Sequence, residues 1–236
     1  MNLPGPIADA LRRGVIIVAA SPRTARALHL RFAESQRAAG IGVWASPSIF
    51  DWDSWLRDLF RDYAFNAPNA PMLLSLLQEQ ALWTRVQGDD AARVLAPEAM
   101  ARLAAEAWSL LSAYNAHPAR RQSWDQTDAE RFLAWAAEFE RLGARNRWLS
   151  AAQLASFLTA EAAHLTLPPE ILLVGFDRMA PAHRGFVDSL SSRSVRIAEY
   201  RQEPDFAADQ ASRSWVAAPD QRAEIDACAS WARDFL

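Results

Sequence analysis

Ser21-Pro22-Arg23-Thr24 is the stretch of the sequence with the strongest chemical suggestion. It follows an apolar run, Val15-Ile16-Ile17-Val18-Ala19, and precedes a helical repeat through Ala25, Leu28 and Phe32. A buried strand, a turn and a helix in that order are where phosphate-binding loops sit. Such a loop needs glycines, so that backbone N–H groups surround the phosphates, a lysine for the outer phosphates, and a Ser or Thr for magnesium. This turn has no glycine, and Pro22 removes one amide donor. Arg23-Thr24 stands where Lys-Thr would, with a planar fork in place of a compact ammonium. The chain contains no lysine at all: its 25 basic residues are all arginine. That excludes Schiff-base chemistry together with the phosphate-loop lysine. The turn therefore reads as a vestigial nucleotide loop, able at most to hold an anion at a helix N-terminus.

The partner motif is equally depleted. In phosphate-loop ATPases a second buried strand ends in an acid that orders magnesium. Here "EILLVGFD" (170–177) places Val174 and Gly175 where that acid is expected, and Asp177 arrives two or three residues late. Asp177 reads as a turn former ahead of Pro181. Nucleophilic catalysis has no support, since there is no G-x-S-x-G, no Cys–His pattern and no D-x-D cluster before a catalytic turn. Asp51 and Asp53 precede a helix, where the N-terminal dipole accounts for them. The four histidines, His29, His117, His164 and His183, have no metal-ligand spacing, and Cys228 is alone. No cofactor is expected.

Two clusters join positive charge to an aromatic ring, as single-strand binders do: Arg120-Arg121 with Trp124, and Arg141, Arg145 and Arg147 with Trp148. The net charge of −3 argues against the chain as a whole being a basic nucleic-acid binder. Most of the ten tryptophans recur at helical spacing among leucines and belong to cores. No apolar run approaches a membrane span, and the N-terminus lacks the order of a secretory signal, so a cytoplasmic setting without membrane contact is expected.

The elements that must position these residues follow from periodicity. A strand over 14–20 leads into a helix over 22–39, and "IGVWASP" (41–47) reads as a second strand. A helix with a wide aromatic face runs through Trp52, Trp55, Leu56, Leu59, Phe60 and Tyr63. "NAPNAP" (66–71) is a linker. From 71 to about 165 the pattern is helical throughout, with breaks at Gly88-Asp89-Asp90, His117-Pro118 and Gly143. Strand and helix then alternate: 170–177, 181–190, 194–200, 212–218 and 219–236. The expected architecture is α/β, a parallel sheet of phosphate-loop ATPase type with a large all-helical insertion. Residues 1–66 and 166–236 form the core, and 67–165 the insertion. The chain stops inside a helix, so a fragment of a longer protein is expected.

Four quoted stretches share an order with a known family. "VIIVAASPRTARALHLRF" is similar to a degenerate first motif, and "SPSIFDWDSWLRDLF" to a short strand leading into a tryptophan-rich helix. "ILLVGFDRMAPAHRGFVDSL" resembles the second motif, and "EIDACASWARDFL" the helix opening the next region. Together they resemble the N-terminal, helicase-derived region of the B subunit of AddAB-type helicase–nucleases, and related bacterial proteins called probable DNA repair proteins. That family has a UvrD-like superfamily 1 helicase fold whose ATPase motifs are often lost. The sequence departs from it at Val174, where many relatives carry Asp, and at Met179-Ala180-Pro181. The resemblance implies a non-catalytic, DNA-engaging module of a repair or recombination helicase–nuclease. It implies DNA, including single-stranded DNA, a helicase partner subunit and a downstream nuclease domain as partners, with no enzyme activity in this piece. Two alternatives stay open: a divergent ATPase using Arg23, Thr24 and Asp177, and a pure protein-interaction domain.

Overall fold

The computed structural model describes residues 3–88, 96–116, 127–201, 215 and 217–233. The chain divides into two compact units, Met1–Arg201 and Gln202–Leu236. The first unit is a mixed α/β structure built on four parallel strands: β1 (Ile16–Ala19), β2 (Ile49–Asp51), β5 (Glu170–Val174) and β6 (Arg196–Tyr200), in the order β2-β1-β5-β6. Helix α2 (Pro22–Ala38) connects β1 to β2, and α8 (Pro181–Ser191) connects β5 to β6. The remaining elements of this unit are α1 (Gly5–Arg12), α3 (Trp52–Asn66), β3 (Met72–Leu73), α4 (Leu76–Val86), α5 (Pro97–Ala113), α6 (Thr127–Asn146), β4 (Trp148–Leu149) and α7 (Leu154–Ala160).

Successive strand residues face opposite ways, and the two faces are packed against different helices. Val18, Ile171 and Leu173 meet Trp52, Trp55, Leu56 and Phe60 of α3, Leu154 and Leu158 of α7, and Phe186 and Leu190 of α8. Ile17, Ala19, Leu172 and Val174 meet Ile7 and Ala10 of α1 and Ala25 and Leu28 of α2. Burial on both faces explains why β1 and β5 are continuous apolar runs without alternation. A third core belongs to α4, α5 and α6, where Trp83 stacks on Phe139 with ring centroids 4.2 Å apart and 9° between planes, flanked by Trp108 and Trp135.

The segment between α3 and β5 differs from its expected all-helical character. Met72 and Leu73 pair in parallel with Trp148 and Leu149. The Met72 N–H donates to the Arg147 carbonyl at 2.8 Å and the Leu74 N–H to the Leu149 carbonyl at 2.9 Å. Two-residue strands are too short to register as a periodicity, which is why they read as helix. Each leads into a serine-capped start: Ser75 and Gln78 form a reciprocal capping box before α4, and Ser150 and Gln153 do the same at a 3-10 turn, Ala151–Gln153. Leu73 is thus a strand residue, and Leu76 and Leu77, at the start of α4, are 82% and 76% exposed.

Two further boundaries move. No strand forms over 41–47; β2 begins at Ile49, after Pro47. Proline has no N–H for a ladder, and the first ladder bond runs from the Ile17 N–H to the Ser48 carbonyl at 2.8 Å. Gly143 does not break α6, which continues to Asn146. A methyl group there would meet the Trp148 carbonyl oxygen at 3.4 Å, so the glycine admits the returning chain. The expected strand at 212–218 and the break at His117-Pro118 lie mostly outside the described residues. The second unit contains α9 (Gln221–Arg233), capped by Asp220, whose carboxylate accepts the Ala223 N–H at 2.8 Å. Among the described residues no helix is long and apolar enough to cross a membrane.

Candidate functional site

In an open parallel sheet, ligands bind at the edge where strands end at their carboxyl termini. The register puts Ala19 level with both Asp51 and Val174, and Val174 level with Tyr200. The turns after β1, β2 and β5 therefore leave from one edge. This edge brings together two stretches 150 residues apart that the sequence singled out. The Ala20 N–H donates to the Val174 carbonyl at 2.9 Å. A Cβ on Gly175 would lie 3.8 Å from Thr24 Cγ2 and 4.0 Å from Ala20 Cβ.

What this edge can hold is set by how α2 begins. Ser21 has extended backbone, φ −148° and ψ 154°, and its Oγ accepts the Thr24 N–H at 3.2 Å. The two hydroxyls also bond each other, Ser21 Oγ to Thr24 Oγ1 at 3.0 Å. Pro22 takes the first helical position, where its missing N–H costs nothing and its fixed φ suits the helix. The turn thus satisfies one of its own orphan amides and engages both hydroxyls locally. Arg23 projects into solvent.

The second stretch is equally local in its commitments. Val174 is buried in the core under α1 and α2. Gly175 has φ +78°, a left-handed conformation that costs an L side chain strain. Phe176 packs edge-on to Trp52 at 5.7 Å, which leaves the next residue, Asp177, exposed. No described group of three or more His, Cys, Asp or Glu side chains is placed to hold a metal.

The basic–aromatic candidates sit elsewhere, at the end of α6. Arg145 is exposed, and Trp148 is half-buried against the core of α4–α6. Arg147 has φ +56°, and its guanidinium donates to the carbonyls of Asn69 and, at 3.3 Å, Ala70. It holds the 66–71 linker beside β3 and β4, and Arg141 is engaged by Glu138. Arg120, Arg121 and Trp124 lie outside the described residues.

The fold also assembles polar groups that spacing did not reveal. A cavity of about 150 Å³ is bordered by Asp53 and Arg57 of α3, Ser109 of α5 and His183 of α8, with alanines of the 3-10 turn and α7 between them. His183 is half-buried and packs on Trp52, centroids 4.8 Å apart. Burial holds its pKa below the ordinary histidine value, with Asp53 pulling the other way. Close by, Glu79 is 9% exposed. Burial raises its pKa, opposed by the backbone of Ala151 and the charge of Arg57. Only the i, i+4 spacing of Asp53 and Arg57 was legible in the sequence; Ser109 and His183 join them through tertiary packing alone. Compared with known proteins, the chain matches no family model and no curated protein.

Proposed function

We propose that this chain is a non-catalytic, helicase-like scaffold that engages DNA within a bacterial repair or recombination helicase–nuclease. In this reading the parallel sheet descends from the phosphate-loop ATPase type and keeps its framework without its chemistry. The observation that carries it is the self-capped turn beside a misplaced acid. Ser21 Oγ already accepts the Thr24 N–H, Pro22 has no amide to offer, and Gly175 stands against Thr24 where an acid-bearing strand end would be needed. Transferred phosphate is stabilised by a backbone cradle, a lysine and a magnesium-ordering acid acting together; the turn after β1 has neither cradle nor lysine, and β5 ends in Val174-Gly175 instead of the acid. DNA contact would fall to the exposed arginines of the helical segment, of which Arg145 is free of the linker clamp made by Arg147.

Two measurements test the reading. Calorimetric titration with ATP and magnesium is expected to give no saturable heat, and tight binding would overturn it. Fluorescence anisotropy with a labelled single-stranded oligonucleotide is expected to show affinity falling steeply with salt. Arg145→Ala should lower the salt slope by about one counterion. Absence of DNA binding at low salt would remove DNA engagement and leave a protein-interaction domain.

A further inference from the structure

Asp53 and Arg57 lie one turn apart on α3, acid before base, which is the spacing and order that ordinarily yields an ion pair on a helix surface. They do not pair with each other, and neither has an ion-pair partner among the described residues, although α1, the middle of α3 and α6 each carry an acid–arginine pair three residues apart. Both instead border the cavity that Ser109 and His183 complete. The space between these four is kept open by small residues, Ala113 and Ala151 among them, and is backed by the buried side chains of Leu56 and Leu154. A void of about 150 Å³ accepts a molecule of roughly benzene's bulk when dry and apolar. Here the lining is apolar at the back, with an anion and a cation near the rim, and Asp53, Arg57 and Ser109 are all exposed enough to meet an incoming molecule.

We propose that this cavity binds a free α-amino acid with a small aliphatic side chain. Its ammonium group pairs with the Asp53 carboxylate, its carboxylate with the Arg57 guanidinium and the Ser109 hydroxyl, and its side chain enters toward Leu56 and Leu154. The opposed charges match a zwitterion, because a simple anion would meet Asp53 and a simple cation would meet Arg57 at about one helical turn. Burial disfavours the charged form of His183, whose ring nitrogens add hydrogen-bonding capacity at the rim. Glu79, buried close by, feels the charge of Arg57 without forming an ion pair with it. This site adjoins the carboxyl edge of the sheet, where α3 and α8 begin, and does not depend on the chain touching DNA.

The test is saturation-transfer and chemical-shift NMR on the full chain with L-valine and L-leucine, set against isobutylamine, which lacks the carboxylate, and isovalerate, which lacks the ammonium. The zwitterions are expected to bind saturably, and each one-pole analogue to bind at least about tenfold more weakly. Asp53→Asn and Arg57→Gln, both at exposed positions, should each weaken L-valine by a similar factor, with circular dichroism showing each variant folded at the assay temperature. No saturable binding of either amino acid, equal binding of all four compounds, or indifference to both substitutions would overturn the proposal. If one variant fails to fold, the four-compound comparison on the unaltered chain decides alone.

Discussion

Gly175 and His183 are the residues where local physics bears most directly on the sheet edge and its neighbouring cavity. At Gly175 there is room for a methyl group, since the nearest atoms to an added Cβ are 3.8 Å away, but φ is +78°. Gly175→Ala is therefore expected to destabilise through backbone strain alone, by about 1–2 kcal/mol; a denaturant melt with an unchanged m-value checks this. His183 makes the opposite kind of prediction, one of pH. Its pKa in the fold is depressed by burial, so its contribution is fully present above the ordinary histidine value and is lost as pH falls through the lower folded value. Melting temperature should accordingly fall between neutral pH and about pH 5, and His183→Gln should flatten that part of the profile. A profile of equal steepness in the variant would assign the loss to other groups.

At the scale of elements, the sequence was readable wherever a pattern was long or a cap was chemical. Helix α2 was expected over 22–39 and runs Pro22–Ala38, because Ser21-Pro22 is a start signal with a mechanism. Removing that signal has a defined cost: Ser21→Ala should lower stability by about 1 kcal/mol, with Ser21→Gly less harmful, measured by chemical denaturation. Strands β1 and β5 were legible as β-branched and apolar runs buried on both faces, though both are shorter than the expected 14–20 and 170–177. What escaped was short or set by distance along the chain. The pair β3–β4 joins residues more than 70 positions apart over two residues each, so nothing local announces it. Gly143 looked like a stop because glycine usually is one; its reason lies five residues on, at the Trp148 carbonyl. The two vestigial motifs were identified as residues, but their contact across Gly175 and Thr24 is a product of β1–β5 register. The cavity had only the Asp53–Arg57 spacing as a hint, since its other polar members come from α5 and α8.

For the molecule as a whole, the first unit is stabilised by cores of two kinds: those on the sheet, and the aromatic cluster of α4, α5 and α6 centred on Trp83. Trp83 is fully buried and touches Phe139 face to face. Trp83→Ala is expected to cost about 3–5 kcal/mol, the range for emptying a large aromatic site. The loss should be local before it is global: amide exchange in the variant should accelerate in α4–α6 while β1 and β5 stay protected. Uniform acceleration would mean the two kinds of core open as one. The scaffold reading belongs to this scale too, since a sheet with emptied nucleotide motifs still fixes where its helices and loops stand.

The pairing of Leu73 with Leu149 gives the helical segment an unusual portability. The polypeptide departs and returns through neighbouring strands, whose backbones run about 5 Å apart. Whatever is spliced between those two points, longer, shorter or of another shape, can be exchanged as a cassette through a single narrow doorway, with only the walls shared with α3, α7 and α8 needing to be refitted.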